Sequence, residues 1–164
     1  ACHLCVSSCP TRVLQPSFLE YGIAGVMQPH MDFTVNYCNY ECTLCGQVCP
    51  TGAIQALLPD EKKLVQIGKT QFVKEDCIVE TKKTDCGACS EHCPTKAVKM
   101  VPYRKLFLPE VDNQYCVGCG ACEHACPTKP RKAIFVQSNP IHAVAKKRQE
   151  QRLEAPVLPQ EFPF

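Results

Sequence analysis

The stretch from Cys116 to Pro127 constrains this chain more than any other part of its sequence. It places four cysteines in the spacing C-x2-C-x2-C-x3-C, and a proline follows the last one. Three cysteines this close together wrap one [4Fe–4S] cube, while the fourth points away and ligates a different cube. The proline has no backbone N–H and a restricted φ, so it turns the chain away from the cluster. The motif therefore predicts iron–sulfur ligation by thiolate sulfur.

The same motif occurs three more times, with changes in its first gap. The second copy has three residues between its first two cysteines, and the third copy has eight. The first copy starts at its second cysteine, because the missing one would lie two residues before Ala1. Every cysteine then belongs to a motif: Cys2, Cys5 and Cys9 in the first; Cys38, Cys42, Cys45 and Cys49 in the second; Cys77, Cys86, Cys89 and Cys93 in the third; Cys116, Cys119, Cys122 and Cys126 in the fourth.

Fifteen cysteines in 164 residues is a content that also occurs in disulfide-rich secreted proteins. The odd count and the repeated C-x2-C-x3-C-P pattern argue against a disulfide framework. Zinc sites favour paired C-x2-C knuckles, which do not explain four cysteines and a proline in each motif. We therefore predict three complete [4Fe–4S] sites and a fourth that lacks one cysteine within this chain. With three thiolates, that fourth site could hold a [3Fe–4S] cluster instead.

The composition predicts a fold whose core is built on these clusters. The chain has no Trp, seven Phe and five Tyr, so its apolar core is thin. Metal that binds only the folded state stabilises that state directly. We expect an α+β fold made of two ferredoxin-like halves, each with two [4Fe–4S] sites, short antiparallel strands and short helices. The predicted halves are 1–76 and 77–137, followed by a polar helix and a Pro-rich tail over 138–164.

Local patterns predict one plan for each motif, in which a ligand loop leads into a helical turn across the last cysteines and then into a strand. The segment 16–30 predicts a loop with one helical turn, and Pro59 begins a short helix over 59–65. An exposed helix is predicted over 143–154 and an extended tail over 155–164. The predicted strands are 11–15, 31–35, 53–57, 69–74, 97–101, 106–108 and 133–136, of which 97–101 and 106–108 form a hairpin.

The sequence leaves the pairing of motifs open between two arrangements. In sequential pairing, Cys9 joins the three leading cysteines of the second motif, and Cys49 returns to the first. Likewise, Cys93 joins the leading cysteines of the fourth motif, and Cys126 returns to the third. In nested pairing, the first and fourth motifs share one core and the middle two share the other. The predicted hairpin between the third and fourth motifs favours sequential pairing.

The motifs resemble those of ferredoxin-type proteins from periplasmic nitrate reductase and methylamine-utilisation systems. The resemblance covers about residues 1–137 and is carried by the fourth motif, by the widened gap from Cys77 to Cys86, and by the segment from Tyr37 to Ile54. It implies a multi-cluster electron carrier that works with a membrane quinol-oxidising module. It also implies membrane association, with the cytoplasmic side preferred and the periplasmic side as the alternative.

We therefore expect an iron–sulfur protein that relays single electrons between a membrane quinol or redox partner and an acceptor. A carrier is favoured over an enzyme. The alternative is an electron-wiring domain of a larger oxidoreductase whose catalytic part lies outside this chain, and a second is a protein with purely structural clusters. The net charge of +2 indicates no nucleic-acid partner. No apolar run approaches the roughly 18 residues of a membrane-spanning helix, so we expect membrane contact only through a partner or a segment before Ala1.

Overall fold

A computed structural model describes residues 2–148 of the chain. Short helices and short antiparallel strands alternate along it, which is the α+β class that the sequence predicts. The helices are α1 (Leu4–Ser7), α2 (Leu44–Gln47), α3 (Pro59–Lys62), α4 (Ile78–Thr81), α5 (Ala88–Glu91) and α6 (Ala121–Ala125). The strands are β1 (Leu14–Pro16), β2 (Pro29–Met31), β3 (Val65–Phe72), β4 (Val98–Tyr103), β5 (Leu106–Val111) and β6 (Ile134–Val144).

The strands form three antiparallel pairs, and two of these pairs are hairpins that join consecutive motifs. β1 and β2 pair with Leu14 opposite Met31, between the first and second motifs. β4 and β5 pair with Val98 opposite Val111, between the third and fourth motifs, which confirms the predicted hairpin. The third pair, β3 with β6, brackets the third and fourth motifs. The division into two ferredoxin-like halves stays a prediction.

One helical turn carries the third cysteine of every motif, as expected. These turns are α1, α2, α5 and α6, and none exceeds five residues. Each ends before the Cys-Pro step, since the residue before a proline avoids the helical region of φ and ψ. The third cysteines therefore stand on short rigid turns, and the fourth cysteines stand at their exits: Cys9, Cys49, Cys93 and Cys126.

The largest buried cluster lies in the second half and is shared between apolar side chains and thiols. Val79, Ala97 and Ile134 are 2% exposed or less. Six cysteines are part of the same cluster: Cys77, Cys89, Cys93, Cys116, Cys122 and Cys126. Sulfur therefore takes up much of the interior, as the scarcity of aromatic residues predicts.

Several predicted strands differ from the structure, and the one predicted over 11–15 lies at Leu14–Pro16. Residues 53–57 form no strand: Gly52 has φ of 68°, and the chain turns there before reaching a partner. The strand predicted over 31–35 lies earlier, at Pro29–Met31, because it pairs with β1 and is followed by a turn over 33–35.

The ladder of β3 and β6 is longer than the sequence patterns predict. β3 starts at Val65, so the helix predicted over 59–65 is shorter and spans Pro59–Lys62. The whole strand lies before residue 76, the predicted end of the first half. β6 continues to Val144, so the helix predicted over 143–154 is wrong at its start. The remainder of that helix after 148 and the predicted extended tail over 155–164 lie outside the described residues. Within residues 2–148, no helix is long and apolar enough to cross a membrane.

Candidate iron–sulfur sites

Four cysteines from two motifs line one cavity in the first half, which we call site II. Cys9 at the end of the first motif faces Cys38, Cys42 and Cys45 of the second motif. Apolar side chains of β1 and β2, including Leu14 and Met31, complete the lining. Burial raises the pKa of the thiols of Cys38 and Cys45, and neighbouring sulfurs add to the effect. Four thiols around one cavity are what a cube requires.

A second set, site III, joins the third motif to the last cysteine of the fourth. The pKa of Cys89 is raised to about 12, first by burial and then by the adjacent thiols of Cys86, Cys126 and Cys77. The pKa of Cys77 is raised by its burial and then by the same neighbours, Cys86 and Cys126. These four side chains therefore lie within electrostatic reach of one another.

The third set, site IV, joins Cys93 to the three leading cysteines of the fourth motif. Burial raises the pKa of Cys122 to about 12, with contributions from Cys119, Cys116 and Cys93. Thr70 on β3 places its hydroxyl 3.2 Å from the sulfur of Cys116 and 3.7 Å from that of Cys122. In sites II, III and IV, the last cysteine of one motif thus lies near the three leading cysteines of another.

The remaining cysteines, Cys2, Cys5 and Cys49, we call site I. Cys2 is exposed, Cys5 is buried and Cys49 is intermediate. α1, which carries Cys5, packs against α2, which precedes Cys49. The backbone N–H of Ile54 donates to the sulfur of Cys49 at 3.5 Å, and it is the first cause that lowers the pKa of this thiol to about 7. Cys2 of site I is the only cysteine classed as exposed among residues 2–148.

A threonine follows every Cys-Pro step, and its hydroxyl reaches the sulfur of the fourth cysteine. The distance from Oγ1 to Sγ is 3.6 Å for Thr11, Thr51 and Thr95, and 3.1 Å for Thr128. A metal-bound thiolate has no proton, so each hydroxyl is the donor. These threonines are not among the predicted site residues, although the repeated Cys-Pro-Thr is visible in the sequence.

Site II and site IV approach each other at one backbone contact. The backbone N–H of Cys38 donates to the carbonyl of Cys119 at 2.9 Å. The pKa of Cys119 is raised to about 11, first by burial and then by nearby thiols that include Cys38. The ring of Phe33 covers Gly120, where a side chain would collide with it. Ligand residues of two different sites are thus joined by one hydrogen bond.

The donor sets fit [4Fe–4S] clusters. All fifteen cysteines are free thiols. Several are too buried to ionise alone, so a bound cationic iron core would offset the repulsion of four adjacent thiolates. Within residues 2–148, no three His, Cys, Asp or Glu side chains are arranged to hold a single metal ion. A cube is ligated at four corners, and its cysteines therefore stand farther apart than the ligands of one ion.

Comparisons with known proteins agree with this chemistry. The 4Fe-4S dicluster domain family matches residues 82–129, which contain seven of the eight cysteines of sites III and IV. Cys77 lies just before the matched range. The match therefore covers the half in which the buried core is largest.

Similar proteins are methylamine utilization ferredoxin-type proteins named MauM. The one from Methylobacillus flagellatus is 32% identical over 108 residues, covering 60% of this chain and 42% of that protein. Those from Methylophilus methylotrophus and Methylorubrum extorquens are each 31% identical, covering 71% of this chain and 54% and 56% of their own lengths. This chain spans about half the length of these relatives. The four cysteine motifs, the dicluster match and these relatives together show that the chain is a multi-cluster ferredoxin-type protein.

Proposed function

We propose that this protein is an electron relay that carries four [4Fe–4S] clusters in the spatial order I, II, IV, III. The observation that carries the proposal is the hydrogen bond from Cys38 to Cys119, which joins a ligand of site II to a ligand of site IV. A [4Fe–4S] cluster accepts and donates one electron at a time. In this mechanism the polypeptide holds the four sites close together in a fixed order and limits the access of water to them.

The order of sites follows from how the motifs exchange their last cysteines. The first and second motifs are linked because Cys9, the last cysteine of the first motif, lines site II. In return, we assign Cys49, the last cysteine of the second motif, to site I. The third and fourth motifs are linked in the same way by Cys93 and Cys126. The contact between Cys38 and Cys119 then connects the two pairs. We propose that these pairs are the two ferredoxin-like halves of the fold.

Burial and hydrogen bonding give the sites different surroundings. Sites III and IV contribute six thiols to the buried core, whereas Cys2 of site I is exposed. Hydrogen bonds to sulfur and exclusion of water both tune a cluster's reduction potential. A graded set of potentials along the relay is therefore expected, with site I open to the outside.

The loop over 17–28 supports a redox protein as the partner at site I. It exposes Phe18, Tyr21 and Ile23, and Ile23 is 89% exposed. His3, between two ligands of site I, lies with Nε2 2.8 Å from the carbonyl oxygen of Met27, which fastens the loop to this site. Aromatic and apolar side chains of this kind are enriched in protein interfaces.

We propose that the partner is a membrane quinol-oxidising module, and that the protein is membrane-associated through it or through a segment before Ala1. The cytoplasmic side is preferred and the periplasmic side is the alternative. The support is the likeness to methylamine utilization ferredoxin-type proteins. The second candidate is an electron-wiring role within a larger oxidoreductase.

The relay is tested by electron paramagnetic resonance on the anaerobically reconstituted protein. Reduction with dithionite should give reversible [4Fe–4S] signals broadened by coupling between neighbouring reduced sites. Replacing Cys42 with alanine should remove site II and narrow the signal of site IV, whereas replacing Cys5 should leave site IV unchanged. Uncoupled signals, or clusters that cannot be reduced reversibly, would contradict a relay.

A further inference from the structure

Lys62 places a positive charge directly on a ligand of site II. It is the last residue of α3, and its Nζ lies 3.6 Å from the sulfur of Cys38. The same ammonium group donates to the carbonyl of Asn39 at 3.3 Å, which holds it over the ligand loop. The contact spans 24 positions in the sequence, so it exists only in the folded chain.

The charge stands out because a long stretch of sequence before it has no Lys or Arg. From Val13 to Glu61 the chain contains no Lys and no Arg. Lys62 and Lys63 end this stretch, and they point to different partners. Lys63 pairs with carboxylates, at 3.2 Å from Glu41 and 3.5 Å from Asp60. Only Lys62 of the two contacts a sulfur, which makes its neighbour a matched control.

A nearby cation favours the state of a cluster that carries more negative charge. If site II held a [4Fe–4S] cube, one electron from an external reductant would make the cube and its four thiolates together one unit more negative, with no proton or ligand exchanged. The interaction with Lys62 is therefore stronger after reduction than before it. Both states bind the same four thiolates, so the difference appears in the reduction equilibrium.

We propose that Lys62 is a positioning residue that raises the reduction potential of site II and so makes it the acceptor beside the junction with site IV. This inference rests on the proposed relay. Site II touches site IV through Cys38, the same residue whose sulfur Lys62 contacts. The lysine therefore acts on the point where electrons pass between the two halves.

The test is a potentiometric titration of the reconstituted protein, followed by electron paramagnetic resonance. The signal of site II is the one lost when Cys42 is replaced by alanine. Lys62→Gln should lower the potential of that signal alone, with a change on the order of tenfold in the reduction equilibrium constant, or about 59 mV for one electron. Lys62→Arg keeps the charge and should retain most of the potential. Lys63→Gln should leave it unchanged.

Each outcome decides the proposal separately from the relay. A site II potential that is the same in Lys62→Gln and the unmodified protein would overturn the role of Lys62, while coupled signals would still support the relay. An equal shift in Lys63→Gln would also overturn it. If Lys62→Gln loses iron, Lys62→Met is measured instead. Loss of the cluster from both neutral variants would assign the lysine to assembly and overturn tuning.

Discussion

Replacing Thr128 with valine removes a buried hydroxyl and keeps a side chain of similar shape. Thr128 is 7% exposed, and its hydroxyl makes two contacts. It donates to the sulfur of Cys126 at 3.1 Å and accepts from the backbone N–H of Ala133 at 2.8 Å. Valine has no hydroxyl and can make neither bond. The substitution therefore leaves the N–H of Ala133 without its acceptor and the sulfur of Cys126 without this donor.

The expected loss of stability follows from those two bonds. An unpaired buried donor costs about 1–3 kcal/mol, and a hydrogen bond to a charged acceptor contributes about 1.5–3 kcal/mol. The backbone also donates to Cys126, so part of the second contribution is retained. We expect a loss of about 3 kcal/mol, which lowers the midpoint of thermal unfolding by roughly 6–12 °C for a protein of this size.

Thr51→Val is the matched control, because Thr51 has the same place in the second motif. Its side chain is exposed, and its hydroxyl lies 3.6 Å from the sulfur of Cys49. We expect a loss below about 0.5 kcal/mol. The assay is loss of cluster absorbance on anaerobic heating at one scan rate, because unfolding with cluster loss is irreversible. Equal midpoints for the two variants would refute the reasoning.

Three further outcomes are expected. Removing iron with a chelator under reducing conditions should abolish the compact fold, as seen by circular dichroism, because thiols form much of the core; a compact apoprotein would contradict this. Gly118→Ala should lower the free energy of unfolding by more than about 2 kcal/mol, because φ is +73° and the new Cβ would lie 2.5 Å from the nitrogen of Gly68. Gly87→Ala is the control, since its Cβ meets only a side chain at 3.6 Å. Equal thermal midpoints for the two variants would contradict this prediction. Ile23→Ser should leave the thermal midpoint unchanged, since Ile23 is 89% exposed, but slow reduction by a partner protein and not by dithionite.

Local sequence was enough to predict the ligand loops and the helical turns. The cysteine spacing and the proline act over a few residues, so the motif predicts its own turn wherever it stands. The hairpin of β4 and β5 is also local, because its two strands are adjacent in sequence. The Cys-Pro-Thr contacts were equally predictable, since Thr128 lies two residues from the sulfur it contacts. The motif that predicts the ligands ends at the proline and therefore does not include these threonines.

Contacts between distant residues were decided by the tertiary structure. Residues 53–57 have the composition of a strand, but no partner strand lies beside them. β3 pairs with β6, which is distant in the sequence. This pairing makes both strands longer than their local sequence patterns predict.

The sequence by itself determined that cysteine sulfur takes up part of the interior, because fifteen cysteines and the absence of Trp leave a thin apolar core. It did not determine which motifs share a site or which sites adjoin. Those follow from the packing of Cys9 against the second motif, of Cys38 against Cys119 and of Lys62 against Cys38. Such contacts depend on where the folded chain brings remote residues, and no spacing within a motif encodes that.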